Sequence, residues 1–81
     1  SLLFTEEIEN NIRFLSESGN HKTLRISVNP IVEAYLNRGF FNSIAKKWRK
    51  QYKIKIQIEA STNNGLMEYH IFDREDEEIS L

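Results

Sequence analysis

Eighty-one residues without a cysteine make one domain, near the size at which a chain can bury a core unaided, and exclude disulfides and cysteine zinc sites within it. A net charge of −1, with 28% charged and 40% hydrophobic residues, is ordinary for a globular chain, so any contact with a polyanion must be local. No apolar run approaches the ~18 residues that span a bilayer and no signal peptide is visible, so a cytoplasmic location and no membrane partner are expected.

The chain opens Ser-Leu-Leu-Phe without a methionine and is read as a C-terminal fragment of a longer protein, residues 1–81 forming a single domain. Phe4, Ile8, Ile12 and Leu15 recur at helical spacing, which predicts an amphipathic first helix. Thr5 is the expected N-cap, with Glu6 and Glu7 in the first turn where the helix dipole favours carboxylates. Gly19, after Ser18, suits the left-handed position that ends a helix.

Leu24, Ile26 and Val28 alternate with Arg25 and Ser27, a half-buried strand. Asn29 then caps a second helix with Pro30 at its first position, where the missing N–H costs nothing. Ile31, Val32, Tyr35 and Leu36 are its expected buried face. Gly39 either separates this helix from a further one or lies inside one long helix, since a mid-helix glycine costs only about 1 kcal/mol.

From Gly39 to Ile58 the hydrophobic period switches from 3.6 to 2, the sign of a helix folding back onto a sheet. Phe40, Phe41, Ile44, Ala45, Trp48 and Tyr52 form the apolar stripe, and Lys46, Lys47, Arg49 and Lys50 fall between them. Ile54, Ile56 and Ile58 then alternate with Lys53, Lys55 and Gln57. The turn residues Ser61–Gly65 and the alternation of Met67, Tyr69 and Ile71 predict an antiparallel hairpin between the last two strands. The acidic tail from Asp73 is expected to fray.

The order is α-β-α(α)-β-β, an α+β two-layer domain with a three-stranded sheet and its helices on one face. The other face is expected to carry Arg25, Ser27, Lys55, Gln57, Glu68 and His70 to water or a polar partner.

Catalytic chemistry has little to work with. His21 and His70 have no ligand-spaced companion and read as surface histidines, there is no Gly-rich phosphate loop, and Ser43 and Ser61 have no base nearby in sequence. The chain alone is expected not to be an enzyme, with no catalytic residue, no metal ligand and no cofactor of its own. The positive signal is basic: Arg38 to Lys55 holds seven of the eleven basic residues and no acidic one. A solvated helix face explains that run, and so does phosphate contact with RNA through Lys46, Lys47, Arg49, Lys50 and Lys53. Trp48, four residues from both Ile44 and Tyr52, reads as core rather than as a base-stacking platform.

Taken together, Val28-Asn29-Pro30-Ile31-Val32-Glu33-Ala34-Tyr35-Leu36-Asn37, the basic helix, the strand after it and Glu68-Tyr69-His70-Ile71 resemble the C-terminal small domain of the ribonuclease E/G family. The first helix resembles the one that follows that family's zinc-linker cysteines, and the tail Phe72–Ile79 its shorter ribonuclease G type. The resemblance covers nearly the whole chain and implies a piece of a single-strand-specific endoribonuclease of ribosomal RNA processing and messenger decay. The family's magnesium-binding aspartates, S1 domain and zinc-linking cysteines lie upstream and map onto no residue here. What it implies for this chain is subunit association as a homo-oligomer, packing beside the rest of the parent enzyme, and accessory RNA contact. Gly39-Phe40-Phe41 departs from the family's charged residues and makes Phe40 and Phe41 candidate partner contacts.

Two alternatives stand beside it. A KH-like RNA-binding module shares the order of elements but needs a Gly-x-x-Gly loop, where this chain has Arg38-Gly39-Phe40-Phe41-Asn42. A stand-alone dimerisation domain would use the open sheet face or an edge strand.

Overall fold

The computed structural model describes residues 2–39 and 43–81. In chain order the elements are α1 (Leu2–Glu17), β1 (Thr23–Val28), α2 (Pro30–Leu36), α3 (Ile44–Tyr52), β2 (Lys55–Ala60) and β3 (Tyr69–Phe72). The expected α+β architecture is present, with all three helices sharing one core with the apolar side of the sheet.

Phe4, Ile8, Ile12 and Leu15 of α1 are buried as their spacing requires. The helix starts earlier than its sequence signals suggest. It runs from Leu2, so Thr5 lies inside it rather than at its cap, and Glu6 and Glu7 fall beyond the first turn. Tertiary contact accounts for the extension, because Phe4 packs edge-on against Tyr69 with ring centroids 5.5 Å apart. Gly19 takes φ +76° and ends the helix as predicted.

Asn29 caps α2 by accepting from the Ile31 N–H, with Pro30 opening the helix. This helix stops at Leu36, Gly39 has φ +92°, and α3 begins at Ile44 with the Ser43 hydroxyl accepting from the Lys46 N–H. The segment therefore holds two helices. A left-handed Gly39 is incompatible with one continuous helix.

The sheet order is β2-β1-β3. Here the predicted hairpin is corrected: β2 pairs parallel to β1, and β3 pairs antiparallel to the other side of β1. Residues 61–68 carry the chain across to that far side. They are anchored there by Asn64, whose carbonyl accepts from Asn29 Nδ2 at 3.1 Å and whose Nδ2 donates to Ser27 Oγ at 2.9 Å. The buried Ser27–Asn64 pair thus sits on what the alternation marks as the open face. Met67 precedes β3 and is exposed rather than facing the core.

The tail does not fray. Asp73 Oδ1 accepts from the Glu75 and Glu77 N–H groups, Glu78 bridges antiparallel to Phe72, and the Ile79 N–H bonds the Ile71 carbonyl at 2.8 Å. Ile79 is partly buried against the core, which opposes the entropy of a free end.

Candidate functional site

Helix α3 is positioned by its apolar stripe. Ala45 and Trp48 are buried, Trp48 at 3% exposure, which places its indole in the core as predicted. Tyr52 closes the stripe by donating its hydroxyl to Glu9 of α1 at 2.5 Å; burial, and then the Glu9 carboxylate, pushes its phenol pKa up. With those three facing inward, Lys46, Lys47 and Lys50 project outward and are exposed.

The other two predicted RNA contacts fare differently. Arg49 Nε donates to the carbonyl of Ile56 at 2.7 Å, so this guanidinium is committed to holding α3 against β2. Lys53 ends α3 in the left-handed conformation, with φ +53°, and its side chain is exposed beside Lys55. The structure therefore brings Lys46, Lys47, Lys50, Lys53 and Lys55 to the surface and takes Arg49 into the fold. Phe40 and Phe41, the predicted partner contacts, lie outside the described residues.

The open face of the sheet is an ion-pair network rather than a bare polar surface. Arg25 lies 4.2 Å from the centre of the Phe72 ring and bridges Glu59 and Asp76. His70 sits between two carboxylates, with Nδ1 2.7 Å from Glu78 and Nε2 2.7 Å from Glu68. Glu78 first, and then Glu68, raise the His70 pKa above its ordinary value. These contacts tie the tail and the 61–68 segment to the sheet. Among the described residues, no group of three or more histidine or acidic side chains is arranged to hold a metal ion.

Sequence reasoning missed an apolar groove. Phe4, Thr5, Ile31, Val32, Tyr35, Leu66 and Met67 line a cavity of about 290 Å³ open to the surface. Ile31 is 70% exposed and Tyr35 45%, against the expectation that both face the core, while Val32 and Leu36 alone are buried. The signal was present in α2: Ile31/Tyr35 and Val32/Leu36 are two adjacent i, i+4 pairs. The two pairs point about 100° apart around α2, and the core takes up Val32/Leu36 while Ile31/Tyr35 face the groove.

No family model, no curated protein and no solved structure matches this chain. Among the described residues no helix is long and apolar enough to cross a membrane.

Proposed function

We propose that this chain is the non-catalytic small domain of a ribonuclease E/G-type endoribonuclease of the cytoplasm, supporting subunit association and offering RNA an accessory contact. The observation that carries the RNA half is the division of α3. Trp48 and Ala45 lock one face into the core, and Lys46, Lys47 and Lys50 are held outward on the other. A rigid array of cations attracts a phosphate backbone without reading its sequence.

The family half rests on the ordered set of motifs in the sequence. Asn29-Pro30 opens α2, the basic run lies on α3, and Tyr69-His70-Ile71 lies in β3. The groove beside Ile31, Tyr35, Leu66 and Met67 is then the surface on which the rest of the parent enzyme packs, as large exposed apolar patches mark contact sites. The KH-like alternative has less support, since the link between α2 and α3 offers a single glycine.

The test is a titration of single-stranded RNA against salt, comparing the natural chain with Lys46→Gln/Lys47→Gln/Lys50→Gln. Arg49 is left intact because it holds the fold. Each lost phosphate contact should flatten the log–log salt slope by roughly 0.7. An unchanged slope removes α3 from the RNA path. For the family, the coding sequence ahead of Ser1 decides: a Cys-Pro-x-Cys pair there supports the assignment, and its absence removes it.

A further inference from the structure

The two edges of the sheet are treated differently. On the β3 side, the Ile71 carbonyl and the Asp73 N–H are taken up by Ile79 and Glu77 of the chain's own tail. On the β2 side, no described strand pairs with the edge. The N–H groups of Lys55 and Ser61 bond Lys22 and Val28, so the odd-numbered residues of β2 turn their backbone groups toward β1. Within a strand successive residues alternate, so the N–H and C=O of Ile56 and Ile58 point away from the sheet. Arg49 occupies one acceptor position of the Ile56 carbonyl and leaves its second lone pair.

The side chains along this edge are self-complementary. Lys55, Gln57 and Glu59 alternate on the open face, Glu59 also pairing with Arg25 of its own chain, with Ile56 and Ile58 buried beneath. If two copies of β2 run antiparallel about a twofold axis through Gln57, Lys55 lies opposite Glu59 of the second copy, and Glu59 opposite its Lys55. In the same register Ile56 and Ile58 become hydrogen-bonded pairs through their outward N–H and C=O groups, which no strand takes up among the described residues and of which the Ile56 carbonyl already accepts from Arg49. Hydrogen-bond phase admits the registers that set even-numbered residues opposite one another, and among these the charge pattern favours the one centred on Gln57.

We infer that the β2 edge is a homodimer interface, in which a second copy of this chain pairs antiparallel through Lys55–Glu59 and extends the sheet from three strands to six. An isologous contact of this kind closes on itself and goes no further. The inference rests on the association half of the proposed function and supplies its surface.

The experiment is sedimentation equilibrium of the 81-residue chain without RNA, from micromolar to near-millimolar concentration, on the natural chain, Lys55→Glu, Glu59→Lys, their equimolar mixture and the double variant. The natural chain should dimerise reversibly. Each single variant sets like charges opposite one another twice and should dimerise about tenfold more weakly; Glu59→Lys also removes the partner of Arg25 within the chain, so Lys55→Glu is the variant that isolates the contact. The mixture, and the double variant, restore both opposite-charge pairs and should recover the dimer. Amide exchange read without mutation should show Ile56 and Ile58 more protected as the concentration of the natural chain rises. A natural chain that stays monomeric overturns the interface and the association reading together. A dimer indifferent to residues 55 and 59, with unprotected Ile56 and Ile58 amides, overturns the interface alone.

Discussion

Arg49 Nε donates a 2.7 Å hydrogen bond to the carbonyl oxygen of Ile56, tying the middle of α3 to the outer edge of β2. The contact reassigns one cation of the basic run from surface to scaffold. A charged donor to a backbone carbonyl is worth about 1.5–3 kcal/mol. Arg49→Ala is therefore expected to lower stability by roughly that amount, measured by urea unfolding. Lys50→Ala, at an exposed position on the same helix, should change it by less than about 0.5 kcal/mol.

Trp48 at 3% exposure fills the space between α3 and the sheet. Trp48→Ala should cost about 3–5 kcal/mol through lost transfer energy and the cavity left behind. The check is the thermal unfolding midpoint. An unchanged midpoint accompanied by weaker RNA binding would return Trp48 to the role of a stacking platform.

Within α2, neighbouring apolar residues should respond in opposite ways. Leu36 is fully buried, so Leu36→Ala should cost about 2–5 kcal/mol. Ile31, exposed at the rim of the groove, should tolerate Ile31→Ala within about 0.5 kcal/mol. Chemical denaturation of the two variants side by side separates a core position from a docking position.

Asn64 is 6% exposed and holds the 61–68 segment across β1 through Ser27 and Asn29. Asn64→Ala leaves the Ser27 hydroxyl without this donor in a buried place, at a cost of roughly 1–3 kcal/mol. Faster amide exchange in β3 should accompany the lower stability, because that segment delivers β3 to its side of the sheet.

His70 links the tail to the sheet in a pH-dependent way. Both ring nitrogens face carboxylates, and only the protonated ring donates to both. Its pKa in the folded chain lies above the ordinary value of 6.5, so this stabilisation is complete below about 6.5 and lost as pH rises through the raised value. Glu68 is shifted in the opposite sense, lowered first by the Gly65 N–H and then by His70. Its contribution is present above the ordinary carboxylate range and lost as pH falls through the lowered value. An NMR titration should find the His70 pKa lower in Glu78→Gln than in the natural chain, and the Ile79 amide protection factor, corrected for intrinsic exchange, falling above the imidazole transition.

What the sequence determined by itself was local. The stripe through Phe4, Ile8, Ile12 and Leu15, the Asn29-Pro30 cap, the left-handed Gly19 and the alternation of Ile54, Ile56 and Ile58 each depend on residues within a turn or a few strand positions. Hydrophobic period and backbone sterics act at that range, so elements and core were legible. So was the outward projection of Lys46, Lys47 and Lys50, because Trp48 had to face inward. The tertiary structure alone decided everything that required a distant partner. It placed β2 parallel to β1 and sent β3 to the far side, where the buried Ser27–Asn64 bond anchors the crossing segment. It exposed Ile31 and Tyr35, because the angle at which α2 meets the core turns Val32 and Leu36 inward. It held the acidic tail, because Ile79 finds the core and Asp76 finds Arg25. It also took Arg49 out of the basic surface, since nothing in the spacing of Arg49 and Ile56 shows that α3 passes the outer edge of β2.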